Sequence, residues 1–119
     1  MKICVPVIEM NGLQSIVSPH FGRAAAFALV DDETLEVTAL QNDGQHHGGN
    51  LTPSAIISQA GVDVVLCGGL GVKAVRLFEQ EGIHVFNNAA GTVEEVLKAY
   101  KSGLLPEATD ANSCQEHIH

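Results

Sequence analysis

A chain of 119 residues has room for one domain, and at 45% hydrophobic residues it can bury a core without disulfide or metal staples. Fourteen acids against six Lys and Arg leave a formal charge of −8, which repels phosphate backbones and anionic lipid surfaces and so argues against nucleic-acid and membrane partners. Three cysteines, Cys4, Cys67 and Cys114, are too few and too scattered for a disulfide framework and suit a reducing compartment. Met1-Lys2 runs straight into a short apolar strand, unlike a secretory leader. No stretch approaches the roughly 20 apolar residues of a membrane helix. A cytoplasmic location is expected.

Lys2–Ile8 (KICVPVI) is a β-branched apolar run, read as a strand buried on both faces. Pro6 within it cannot donate a ladder hydrogen bond, so an edge position or a local irregularity is expected. Residues 9–22 form a loop punctuated by Asn11-Gly12, Ser18-Pro19 and Gly22. Ala25–Val30 and Leu35–Leu40 are strand-like, with Asp31–Thr34 as the turn between them. Residues 41–50 (QNDGQHHGGN) are a polar, glycine-rich loop. Thr52-Pro53 opens a helix with Ile56, Ile57 and Ala60 on its apolar face and Gly61 at its end. Val62–Cys67 is the next buried strand. A second helix follows Gly68-Gly69-Leu70-Gly71, with Leu70, Ala74, Leu77 and Phe78 as its buried stripe and Gly82 after it. Ile83–Phe86 is a last short strand. Thr92 and Glu95 form a capping box for a third helix that buries Val93, Val96, Leu97 and Tyr100.

The order β-β-β-α-β-α-β-α implies an α/β fold with a mixed sheet covered by helices. Residues 1–103 are expected to form the folded unit and residues 104–119 a flexible acidic tail. Right-handed crossovers bring the carboxyl ends of the first, fourth and fifth strands to one edge, with the end of the third beside them. A ligand pocket is expected there, next to the first and fourth strands.

Ser18-Pro19-His20-Phe21-Gly22-Arg23-Ala24 after the first strand, His47-Gly48-Gly49 after the third, and Cys67-Gly68-Gly69-Leu70-Gly71 after the fourth carry a resemblance. Over about residues 1–102 the chain resembles the dinitrogenase iron–molybdenum cofactor biosynthesis family, which includes NifX- and NafY-type carriers and the C-terminal domain of NifB. The resemblance implies a ribonuclease H-like fold with a five-stranded mixed sheet and three helices. It also implies binding of an iron–sulfur or iron–molybdenum cofactor precursor, and His20 is the first position to carry over.

The cofactor-binding residues expected on this edge are His20, Phe21, Gly22, Arg23, His47, Gly48, Gly49, Cys67, Gly68, Gly69 and Gly71. Neutral imidazole ligates iron and similar metals, so His20 is either a metal ligand or the cap of a turn. His46 and His47 point apart in an extended backbone, and His47 precedes the glycines. Cys67 is either a ligand at the pocket mouth or a small core residue; Cys4, in mid-strand, belongs to the core. The glycine turn lacks the Lys-Ser/Thr ending of a phosphate loop and the full dinucleotide fingerprint. The helix after it still offers N–H groups and positive potential, and Arg23, Lys73 and Arg76 flank it. In the tail, Cys114, His117 and His119 form C-x-x-H-x-H, a candidate site for a divalent transition metal that either stays apart or adds a ligand to the pocket.

A standard cluster takes four thiolates, and three scattered cysteines cannot supply them. Incomplete ligation suits a carrier that receives its cargo from a donor protein and releases it to an acceptor, as a monomer or weak homodimer. Two-metal nuclease chemistry needs clustered carboxylates, and the strands hold only Glu36 and Asp63. No third group orients a Cys–His nucleophile pair, so no enzymatic activity is expected. The competing expectation is a module that binds a small anion or nucleotide, or docks on a partner, without a cluster.

Overall fold

The structure, a computed structural model, describes residues 1–41 and 53–109. Strands β1 (Lys2–Val7), β2 (Ala26–Asp31) and β3 (Val37–Gln41) are followed by α1 (Pro53–Gln59), β4 (Val64–Leu66), α2 (Val72–Gln80), β5 (His84–Phe86), α3 (Val93–Lys101) and β6 (Glu107–Ala108). They form one mixed sheet in the order β3-β2-β1-β4-β5-β6. β1, β4 and β5 are parallel, while β2, β3 and β6 join by antiparallel pairs.

The sheet has six strands, not the expected five. The sixth, Glu107–Ala108, lies inside the segment expected to be tail. Two residues show no alternation, so pattern reading cannot find them. They add to the open edge of β5, opposite Val85 and Phe86, and the carbonyl of Pro106 accepts from the Asn87 amide at 2.9 Å. Pro106 fits at this entry, since its missing N–H is asked of no ladder bond.

Strand alternation divides the core between two faces. Ile3, Val5 and Val7 join Ala28, Val30 and Leu66 under Val93, Val96 and Leu97 of α3. Cys4, Phe27, Val65 and Val85 face Ile57 of α1 and Val75 and Phe78 of α2. The stripe expected on α2 is shifted. Leu77 is 47% exposed and Val75 is fully buried in its place. The stripe therefore follows the i, i+3 pair Val75–Phe78, and Leu70 and Ala74 sit at its half-buried margin. Cys4 is in the core, as expected.

Pro6 stands in a central strand, at a local irregularity. The β1–β4 ladder covers only Ile3 and Cys4. Beyond it the returning loop replaces β4 as the neighbour of β1: the Ser18 amide donates to the Pro6 carbonyl at 2.8 Å and the Ile8 amide to Ile16 at 3.0 Å. The carbonyl of Pro6 thus faces the loop, the side on which its nitrogen can donate nothing. β4 turns instead to β5, with the Cys67 amide donating to Phe86 at 3.0 Å. The two central strands part at their carboxyl ends, and the loop carrying Ser18–Arg23 enters between them.

Candidate functional site

The parting of β1 and β4 opens a cleft of about 470 Å3, lined by Pro19, His20, Phe21, Gly22, Arg23, Gly69, Leu70, Gly71 and Ala74. It lies where the strand order reverses, the position at which open α/β sheets take ligands. Two of the loops expected to converge supply its walls.

Ser18 builds the first wall. The buried hydroxyl donates to the His20 carbonyl at 3.0 Å and accepts from the His20 amide at 3.3 Å. This short side-chain turn replaces a backbone one. His20 then leads into a single 3-10 turn, Phe21–Arg23, and its side chain makes no capping hydrogen bond. The imidazole is exposed on the cleft rather than spent as a cap. Phe21 is the anchor of the wall. It is buried, with its ring 5.3 Å from Phe27 and 5.9 Å from Phe78 in an edge contact. Arg23 follows it as an exposed residue on the rim.

The second wall is the glycine turn. Gly71 is the N-cap of α2, in extended conformation and with no side chain to offer. Among the described residues the amides of Val72, Lys73 and Ala74 take no partner, whereas Val75 bonds back to Gly71 at 3.1 Å. A helix start of this kind presents N–H groups and a partial positive charge. Gly68 packs the two walls together: a Cβ there would lie 3.7 Å from the Pro19 carbonyl oxygen. It is not among the residues lining the cleft.

Cys67 does not line the cleft either. It is fully buried, and its thiol donates weakly to the Phe86 carbonyl at 3.7 Å and Asn87 Oδ1 at 3.8 Å. Burial pushes its pKa up to about 12, so it stays a protonated thiol at neutral pH. Cys4 is shifted upward further by the same burial. Of the three flanking bases, only Arg23 lines the cleft. Lys73 is exposed on α2, and Arg76, also exposed, has interactions of its own.

His47, Gly48 and Gly49, with His46, lie outside the described residues, as do Cys114, His117 and His119. Among the described residues no group of three His, Cys, Asp or Glu side chains is placed to hold a metal ion. Leu70 and Ala74 were expected in the core and instead line the cleft. The signal was there in the sequence: Ala74 is three residues past the capping glycine, so it shares that glycine's side of the helix. No described helix is long and apolar enough to cross a membrane.

Comparison with known proteins gives a family and a shared fold. A family model described as dinitrogenase iron–molybdenum cofactor matches residues 1–103. The uncharacterized protein MJ0580 of Methanocaldococcus jannaschii is 33% identical over 110 residues, 88% of this chain and 89% of its own length. The apo form of the orange protein from Desulfovibrio gigas superposes with a TM-score of 0.79 at 27% identity, over 90% of this chain and 92% of that one. A Thermotoga protein described as a NifB candidate, TM1290, gives a TM-score of 0.73 at 27% identity, over 89% of this chain and 91% of its own.

Proposed function

Because the chain belongs to the dinitrogenase iron–molybdenum cofactor family, we propose that it is a carrier, not an enzyme, and that its cleft holds a preformed anionic metal–sulfur cluster of the iron–sulfur or iron–molybdenum kind for transfer. The observation that carries this reading is the open start of α2 facing His20 and Arg23 across the cleft. Bare N–H groups, a guanidinium and one imidazole suit an anion that brings its own sulfur. They do not suit a cluster built in place, which would need thiolates. Among the described residues that line the cleft, His20 is the one metal-ligating side chain, and Cys67 lies buried behind them.

The local charge matters in a chain of net −8. An anion approaching most of this surface is repelled, so the positive end of α2 and Arg23 make the cleft the favoured entrance. One ligand and several hydrogen bonds hold cargo loosely enough to be passed from a donor to an acceptor protein. That the solved orange protein is an apo form accords with a dissociable cargo. The strand order 3-2-1-4-5, with its antiparallel first hairpin, supports a ribonuclease H-like likeness. The reading places the protein in the cytoplasm.

Anaerobic purification with metal analysis and visible spectroscopy tests the proposal, on wild type and His20→Ala. Bound iron or molybdenum with broad sulfur-to-metal absorbance is expected in wild type and diminished in the variant. Protein that stays colourless after reconstitution with a preformed cluster would overturn it in favour of a small-anion or partner-docking module.

A further inference from the structure

The sheet ends differently on its two sides. On one side β6 is only two residues long and follows Pro106, a blunted edge of the kind that resists further pairing. On the other side β3 presents Val37–Gln41, in unbroken register with β2 from Val30 opposite Val37 to Ala26 opposite Gln41. It carries no proline, no lysine and no bulge, the usual protections of an open edge. The Asp31 amide donates to the Glu36 carbonyl at 3.0 Å, and the antiparallel pairs alternate from there. Thr38 and Leu40 therefore spend their backbone groups on β2, while the N–H and C=O groups of Val37, Ala39 and Gln41 point away from the sheet. Among the described residues nothing pairs with them.

Both layers of the core run out to this strand. Val37 packs at the margin of the α3 layer and Leu40 at the margin of the α1–α2 layer, and both stay half-exposed. A neighbour that continued the sheet would cover both from the open side. Charge decides what kind of neighbour fits. Asp31 and Asp32, just before the strand, are answered within the chain. Lys2 stands opposite Asp31 on β1, the Met1 amine lies 3.2 Å from Asp32 Oδ1, and Lys101 Nζ donates to the Asp32 carbonyl at 3.4 Å. They leave little for a basic peptide to neutralise. The strand itself, VTALQ, is uncharged, so it can lie against its own copy with no like charges facing.

We propose that β3 is a homodimer interface, on which a second copy adds its own β3 antiparallel about a two-fold axis at Ala39. Ala39 then faces its counterpart, Val37 faces Gln41, and Thr38 faces Leu40. The residues whose backbone groups point outward meet one another, so each such pair exchanges two hydrogen bonds. The contact is the same patch on both copies, as a two-fold requires. Glu36 selects the antiparallel sense. Parallel strands would set the two Glu36 carboxylates side by side. The two-fold holds them about six residue steps apart, roughly 20 Å along the strand and beyond the ~8 Å screening length. β3 is parallel to β1, so the two clefts open on opposite edges of the joined sheet and each stays free for its ligand.

Sedimentation equilibrium of the full chain without cargo, over a concentration series into the millimolar range, tests this independently of the carrier reading. The mass is expected to rise from 12.5 kDa toward twice that value. Each copy carries −8, so added salt should strengthen the association. Ala39→Pro removes an outward amide that β2 does not use, and Ala39→Lys sets two ammonium groups face to face at the axis. Ala39 is exposed, so circular dichroism should show both variants folded, and both should stay at the monomer mass throughout the series. A wild type that remains at 12.5 kDa, or a dimer that survives in either folded variant, would overturn the proposal.

Discussion

Helices α2 and α3 are both nine residues long and both start at the same edge of the sheet, yet their first turns are treated in opposite ways. At α3 every early amide is satisfied. The Thr92 amide donates to Glu95 Oε1 at 3.0 Å, Val93 to the Ser15 carbonyl at 2.9 Å, Glu94 to Leu13 at 3.0 Å, and Glu95 to Thr92 Oγ1 at 3.2 Å. Gly91 is required beside this cap, because at φ +100° a Cβ would come within 2.7 Å of the Glu95 carboxylate. At α2 a glycine takes the cap position and the amides are left toward the cleft. Capping side chains are placed where a helix only has to be stable, and withheld where its positive end can receive a ligand.

The largest expected effect comes from the layer beneath the open helix. Phe78 is fully buried and meets Phe21, which anchors the His20 loop. Phe78→Ala should cost about 3–5 kcal/mol in urea unfolding and should also loosen cargo retention, since both walls of the cleft lean on that ring. Stability loss with unchanged retention would show that the walls are positioned independently.

The capped helix provides the next contrast. Thr92→Ala should cost about 1 kcal/mol at neutral pH with no effect on the cleft. The Thr92 amide and hydroxyl hold the Glu95 carboxyl below its ordinary value of 4.5. A lowered folded-state pKa stabilises above the unfolded value and is lost as pH falls through the folded one. The cost of Thr92→Ala should therefore shrink below about pH 4.5, as Glu95 takes up its proton. A cost independent of pH would mean that the carboxylate contributes nothing to the cap.

The smallest effect on stability has the opposite sign. Nothing lies within 4 Å of a Cβ built on Gly71, and its backbone is extended, so a cap can be installed there. Gly71→Asp should stabilise by about 0.3–1 kcal/mol while weakening retention of an anionic cargo. A more stable variant with undiminished retention would remove the start of α2 from the site.

How much of this could be read in advance differs between elements. The capping box of α3 is legible because its partners are three residues apart and the bond pattern is local. The cleft position was legible at the level of topology, because parallel strands joined by helices send their following loops to one edge. The burial of Cys67 was not. Cys67 ends a strand beside the cleft in sequence, but strand alternation turns its side chain into the α1–α2 core. β6 was also missed, since two residues pairing with an open edge leave no periodic trace.

The sequence by itself determined the element order as far as α3, the α3 cap, the glycine start of α2 and the family. Each rests on local spacing or on a motif that folds on its own terms. Only the tertiary structure decided that β1 parts from β4 at Pro6, that Phe21 pins the His20 loop to α2, and that Cys67 is a core thiol. Those outcomes depend on which strand, 60 residues away, lies alongside: Cys4 pairs with Val65 and Pro6 with the returning loop. A partner set by the packing of the whole sheet carries no signature in the residues next to it.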